Sequence, residues 1–382
     1  MTTSHHQFDF HGHALDEIFG EYREMREVCP VAHSDRYGGF WAVTRYEDIF
    51  MAEKDWETFA VSPTMLLPAF GTDRPMIPID VDPPAHTAYR RLLLPFFTPA
   101  RIDELVESTR KVAQDLLVKV RDDQIFDASA LYARPVPTLV FSMYAGFPTE
   151  DAPRFDRWVD EIIYERQDDD TVSRRAAGEV YDYFRNLIRQ RRYGERGTDI
   201  VSVLIDSEIY GRPLTDDELL DICNLLFLAG LDTTAWAIRS SLWHLAQSKD
   251  DRERLAAEPA LIPSAAEEYL RTLSPVQAMA RTVTHDTVIG GTPIRAGERV
   301  ALVFGSGNRD PSKFGDPDTV RIDREDNPHI AFGLGIHRCL GSNLARREIM
   351  IALEEFLAAI PDFHLAEPAP WHGVGPLMIE RQ

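Results

Sequence analysis

Cys339 stands near the end of the run FGLGIHRCLG, residues 332–341, and a helical pattern, SNLARREIMIALEEFL, follows directly. A thiol just before a helix N-terminus meets free N–H groups and the positive end of the helix dipole. Both favour the thiolate, which is the form that binds metal. Gly333, Gly335 and Gly341 let the backbone come close to a flat ligand, and N–H groups beside the sulfur would tune a bound metal. A second group with chemical potential lies in Ala229-Gly230-Leu231-Asp232-Thr233-Thr234, inside a long apolar helical pattern. Burying Asp232 there costs free energy unless the carboxylate is paired or hydrated. Gly and Thr can loosen the helical ladder, which would leave either a simple kink or a groove beside Asp232 and Thr233.

Taken as a whole, the cysteine segment resembles the haem-binding loop of cytochromes P-450. Phe332, Gly333, His337, Arg338, Cys339 and Gly341 carry the match. The resemblance runs over roughly residues 15–380. It implies haem b, with Cys339 as the axial ligand to iron and Phe332, Gly333 and Gly341 cradling the ring. It also implies that Ala229 and Gly230 lie against the haem where O2 binds, with Asp232 and Thr233 delivering protons. The segment Asp82-Pro83-Pro84-Ala85-His86-Thr87-Ala88-Tyr89-Arg90 resembles the family's DPPxHxxxR stretch. His86 and Arg90, together with Arg281 and His337, are thereby implied as donors to the haem propionates, a set suited to charge-assisted hydrogen bonds. Glu268 and Arg271 resemble the family's Glu-x-x-Arg pair, which shares a helix face, and Arg324 resembles the third member of that ion network.

The activity implied is monooxygenation: one atom of O2 enters a small-to-medium hydrophobic molecule by hydroxylation or epoxidation. Two electrons come ultimately from NAD(P)H through a separate reductase and a ferredoxin or flavodoxin. No dinucleotide-binding or flavin-domain fingerprint is visible within the chain. Arg338, Arg346 and Arg347 could form a basic docking patch, or could be ordinary solvated or core-paired charges. A peroxide-driven or rearranging enzyme of the same fold is an alternative. The intact Asp232–Thr233 pair argues against it, because peroxide-using relatives typically carry Arg-Pro there. A haem sensor or carrier is an alternative of another class, with no output domain in the sequence to support it. No His/carboxylate triad at metal-ligand spacing suggests a non-haem metal enzyme.

The elements that must position these groups are mostly helices. Apolar stripes at helical spacing run over about 101–120, 154–165, 174–192 and 342–360. Thr215 to Glu218 reads as a capping box opening a helix that continues to about Gln247, on the order of 50 Å long at 1.5 Å per residue. Strand patterns occupy Gly39–Thr44, Thr282–Ile289 and Arg299–Phe304, with turns at Gly290-Gly291 and Arg295-Ala296-Gly297. Pro- and Gly-rich loops fill 62–84 and 305–335. The expected fold is mainly α, of the α+β kind, with a small sheet region and a long central helix crossing the haem. One domain would span 15–382, preceded by a flexible tail over 1–14 that carries His5, His6, His11 and His13. Leu226, Ala229, Thr233 and Ala237 fall on one face of the long helix. With Ile77 and Val276 they sketch an apolar substrate pocket. Leu66, Leu67, Phe70 and Ile79 belong to the loop that covers the haem in relatives.

Composition bounds the rest. A formal net charge of −21 disfavours nucleic acid and anionic membranes as partners. Three cysteines at wide spacing give neither a disulfide framework nor a zinc pattern and suit a reducing cytoplasm. No long uncharged apolar run suggests a membrane span, and a monomer is the default expectation for this kind of chain.

Overall fold

The computed structural model describes residues 8–9, 15–69, 72–165, 170–194, 196–369 and 375–382. Its axis is the helix Asp216–Gln247. The expected capping box is formed: Thr215 Oγ1 accepts the Glu218 N–H at 3.2 Å, and Glu218 Oε2 accepts the Thr215 N–H at 2.7 Å. Two orphan donors of the first turn are satisfied this way. The helix packs against the helices Pro135–Ala145, Asp170–Tyr193, Ile262–Leu273 and Ser342–Ala359. Its first half, Leu219 to Leu231, belongs to one hydrophobic cluster and its last turns, Ala237 to Ala246, to another. Asp232, Thr233 and Thr234 sit in the seam between the two, where polar side chains interrupt neither core. By length and composition alone this helix could cross a membrane, but most of it is buried within the protein.

A five-stranded sheet lies to one side, in the order Val31–Ser34, Phe40–Val43, Arg299–Leu302, Met279–Val283, Phe59–Ala60. Only the Phe40–Val43 and Arg299–Leu302 pair is parallel. A third hydrophobic cluster fills the space between this sheet and the helix Tyr46–Lys54.

Several sequence expectations need adjusting. The helix expected over 101–120 is two, Pro99–Asp103 and Val106–Lys119. The first ladder ends at Leu105, whose carbonyl takes the Thr109 N–H and the Thr109 and Ser108 hydroxyls and so starts the second. The stripe at 154–165 changes from α-helix to a π-helical turn at Asp160–Tyr164. The strand expected over Thr282–Ile289 is divided. Met279–Val283 joins the main sheet, whereas Thr287–Ile289 forms a hairpin with Thr292–Ile294 across Gly290 and Gly291, at φ 54° and 85°. Between them the Thr284 hydroxyl bonds the Glu57 carbonyl, and Asp286 accepts the Ala296 N–H, which turns the chain. The sheet strand after Gly297 stops at Leu302, and Phe304 opens a helical turn. The expected tail over 1–14 is docked in part. Phe8 is buried beside Tyr22 and Phe40, and Asp9 accepts the Tyr37 hydroxyl. His5, His6, His11 and His13 lie outside the described residues.

The Glu268 carboxylate is completely buried and binds Arg271 through both oxygens, at 2.7 and 2.8 Å. It also accepts Arg324 Nε at 3.0 Å, Asn327 Nδ2 at 3.1 Å and the Arg321 N–H at 2.9 Å. Removing it leaves two buried guanidiniums without their anion. Glu268→Ala is therefore expected to cost about 3–5 kcal/mol, measured by urea unfolding.

Candidate active site

Between the long helix and the loop Phe332–Gly341 lies a cavity with about 1380 Å³ of empty space, its open mouth included. Cys339 presents its surface to this space, and its N–H is held by the Phe332 carbonyl at 2.8 Å. Phe332, Gly333, His337 and Gly341 line the same wall. The helix N-terminus favours the thiolate as the sequence suggested, and it acts here against desolvation. Surrounding protein pushes the Cys339 thiol up, against the opposing pull of the Gly341 N–H and of Arg90, Arg338 and Arg346. A metal cation is what would complete the stabilisation of its anion.

The three loop glycines have different reasons. Gly333 and Gly335 adopt φ 62° and 63°, and a Cβ on Gly335 would collide with the Glu53 carbonyl. Gly341 has an ordinary φ of −79°, and a Cβ there would meet no protein atom within 4 Å. It faces the cavity, so the space it leaves is for something other than protein.

On the opposite wall stand Leu226, Ala229, Gly230, Thr233, Thr234 and Ala237 of the long helix. A Cβ on Gly230 would come within 2.7 Å of the Phe141 ring. This glycine therefore admits a neighbouring helix, and the α-helix Asp216–Gln247 continues through it. The Thr233 hydroxyl donates to the Ala229 carbonyl at 3.2 Å, a back-bond to the preceding turn that keeps the threonine at the groove. Asp232 turns away from the cavity and accepts the Tyr164 hydroxyl at 2.8 and 2.9 Å. Burial raises its carboxyl from 3.8 to about 6, with Asp160 and Asp156 adding to the effect and Tyr164 and Arg134 opposing it.

The rim is short of anions. The rings of His86 and His337 lie 4.2 Å apart. Both nitrogens of His86 and Nε2 of His337 are buried without a hydrogen-bond partner. Burial lowers His86 to about 4 and His337 to about 2, helped by each ring's cationic neighbours, Arg90 among them. Both are therefore neutral donors, not the cations they could have been. His86 stands behind His337, off the cavity wall, whereas Arg90 and Arg281 are on it. The unpartnered His337 nitrogen and two arginines facing one cavity, backed by the unpartnered His86 ring, fit the carboxylate edge of a haem, and the open cradle at Gly341 fits its flat face. Arg281 is already shared with Glu53, to which it is ion-paired.

Glu53 was not singled out from the sequence. It is buried at the end of the helix Tyr46–Lys54, and its Oε2 also accepts the Leu334 N–H at 2.8 Å. Glu348 was also missed. It is buried on the cavity wall with Oε1 unpartnered, and burial raises its carboxyl well above the usual range. Its position four residues after Leu344, on the apolar stripe of 342–360, was the available signal.

One expectation is corrected, and one left open is narrowed. Ile77 is not on the cavity wall. It is packed in the core cluster with Leu93 and Phe97, and Met65, Pro78 and Ile79 face the cavity in its place. Phe70 lies outside the described residues; Leu66 and Leu67 pack on the cores; Val276 does line the wall. The basic patch is weaker than its charges suggest. Arg346 is bound to Glu267 at 2.6 and 2.9 Å and Arg347 to Asp103 at 2.8 Å, while Arg338 is exposed.

Comparison with known proteins agrees with this geometry. The cytochrome P-450 family model matches residues 69–360. The steroid C26-monooxygenase of Mycolicibacterium smegmatis is 36% identical over 358 residues, 91% of this chain and 87% of that protein. The mycinamicin IV hydroxylase/epoxidase of Micromonospora griseorubida is 35% identical over 368 residues, 94% and 91% of the two chains. The solved structure of the bacillaene polyketide synthase cytochrome P-450 PksS of Bacillus subtilis 168 superimposes with a TM-score of 0.88 at 32% identity, covering 98% of this chain and 100% of that one. A thiol facing a helix across a cavity with an anion-seeking rim defines a haem-thiolate protein, and this chain belongs to the cytochrome P-450 family. It is a monooxygenase acting on a hydrophobic substrate, with haem b and O2, supplied with electrons from NAD(P)H by redox partners.

The glycine assignments can be separated experimentally. Gly341→Leu is expected to leave urea stability of the haem-free protein unchanged while cutting haem uptake by half or more. Gly335→Ala, strained at positive φ, is expected to destabilise the fold itself by about 1–3 kcal/mol. Equal effects of both on the haem-free fold would refute the distinction.

Proposed function

We propose that Cys339 ligates the haem iron and that Asp232 and Thr233 carry protons into the cavity during oxidation of a medium-sized, largely apolar substrate. The observation behind this reading is the opposition of the two walls. The thiol is on one side; Thr233 is on the other, with Asp232 one residue away on its outer face. Haem bound at Cys339 supplies the activation of O2, which the thiolate ligand favours. The protein's own part is orientation and proton supply. Arg90, Arg281 and His337 anchor the carboxylate edge, with the His86 ring packed behind His337. The Thr233 hydroxyl is placed to hand a proton into the groove, and the carboxyl of Asp232, close to neutrality, can take one up from outside and return to its ionised form. Leu226, Ala229, Val276 and Met279 exclude water from the substrate side. Relatives named for a steroid monooxygenase and for polyketide biosynthesis support a medium-sized apolar substrate. We further propose a cytoplasmic monomer folded as one domain over 15–382, served by a ferredoxin or flavodoxin that docks near Arg338.

Two variants test this. The reduced carbon monoxide complex of the wild type is expected to show a strongly red-shifted Soret band that Cys339→Ala lacks; the same unshifted band in both would sink the ligand assignment. Asp232→Asn is expected to keep that band and to lower product formation with a ferredoxin chain by about 10²-fold, the size of general acid–base assistance. Unchanged product formation would remove Asp232 from the proton path.

A further inference from the structure

The side chain hydrogen-bonded to Asp232 among the described residues is a tyrosine, not a cation. Tyr164 ends the π-helical turn Asp160–Tyr164, and its hydroxyl reaches both carboxylate oxygens, at 2.8 and 2.9 Å. The guanidinium that acts on Asp232, Arg134, is occupied: it forms a two-point ion pair with Asp160, with one contact at 3.0 Å. It acts on Asp232 only through space. Asp156, held by the Thr138 hydroxyl at 3.0 Å, and Asp160 add negative potential on the same side. On the long helix itself Arg239, nearer its end, acts on Tyr164 from farther away.

A neutral donor and a guanidinium would treat this carboxylate differently. A direct ion pair would hold it ionised far below neutral pH. A phenol stabilises the anion with one charge-assisted hydrogen bond shared between two oxygens, and burial outweighs that bond. The carboxyl therefore changes state near pH 6. Burial and the adjoining carboxylate push the phenol's own ionisation well above the ordinary range, so Tyr164 stays protonated and acts on Asp232 as a donor.

We propose that Tyr164 is the positioning residue of the proton path, its hydroxyl clasping the Asp232 carboxylate through both oxygens and holding it as the anion that receives each incoming proton. This rests on the assignment of Asp232 to that path. A proton from solvent adds to one carboxylate oxygen of Asp232. The Tyr164 O–H keeps its own proton and stays on the other oxygen. Loss of the proton toward Thr233 restores the two-point clasp, so no group other than Asp232 changes charge.

The test uses the haem-loaded protein and two variants, Tyr164→Phe and Asp232→Asn. Infrared difference spectra between pH 4.5 and 8.5 report a protonated-carboxyl band, assigned to Asp232 by its absence in D232N. The wild-type midpoint is expected near 6. Removing the hydroxyl removes a bond made to the anion, so in Y164F the midpoint is expected to move up by about one unit. The alkaline limb of oxygen consumption, driven by a ferredoxin and its reductase, is expected to move up with it. The carbon monoxide spectrum of Y164F serves as the control and is expected to match wild type. An unmoved midpoint in Y164F reduces Tyr164 to a packing contact and overturns the inference, while leaving Asp232 in place. The absence of any D232N-sensitive band overturns it as well. Wild-type oxygen consumption and product yield in D232N would instead overturn the proton-path assignment on which it rests.

Discussion

The Glu268 carboxylate has no water to fall back on, and much of the site hangs from how that deficit is met. Its oxygens hold Arg271 and Arg324 in place. Arg271 then spends its remaining donors on the carbonyls of Asn308, Pro317 and Thr319. Asn308 in turn accepts the Ile330 N–H at 2.7 Å, two residues before Phe332. A long, irregular stretch with little ladder of its own is thus pinned at successive points to one buried anion. Such a network is a poor source of net stability, because desolvating its charges consumes most of the attraction. What it supplies is a fixed path for the loop that bears Cys339, at a position where regular secondary structure could not place the sulfur beneath an open cavity.

The cavity built on that path is electrically lopsided in a strongly acidic protein. Its rim gathers Arg90, Arg281 and the His337 imidazole, with His86 behind it, while the long-helix wall is apolar apart from Thr233 and Thr234. A ligand that is flat, apolar across its faces and anionic along one edge satisfies both halves at once, and neither half alone would orient it. Glu53 refines this arrangement. By pairing with Arg281 and capping Leu334, it joins the rim to the cysteine loop, so the rim's charge and the loop's geometry cannot vary independently. The exposed cations expected for partner docking are, by contrast, partly consumed by Glu267 and Asp103.

The sequence disclosed what depends on local pattern. The capping box at Thr215, the 32-residue helix, the cysteine loop and the Glu268–Arg271 pair were all legible, because cap chemistry, helical period and i,i+3 spacing are properties of short segments. It failed where the answer depended on what packs across. Ile77 and Ile79 alternate in one loop, and only the fold decides that Ile79 takes the cavity and Ile77 the core. The run 282–289 has strand composition throughout, yet its two ends pair with different partners. Gly230 read as a weak point of the helix, whereas Phe141 fills the space and the helix runs on. Tyr164 carries no local signal of function: the carboxylate it binds is 68 residues away.

Asp232 shows what such an arrangement costs. A carboxyl raised from 3.8 to about 6 on folding favours the folded state fully only below pH 3.8. That contribution declines as pH rises toward 6 and is gone above it, because the ionised form is better solvated in the unfolded chain. At neutral pH the protein therefore carries a carboxylate that its own fold disfavours. A stronger partner, such as a freely directed Arg134, would relieve the penalty and would also hold the group ionised at any pH where protons must enter. Pairing Arg134 with Asp160 and leaving Asp232 to a phenol keeps the group in the range where it can both gain and lose a proton. The instability is local, confined to the seam between two hydrophobic clusters, and the surrounding packing absorbs it.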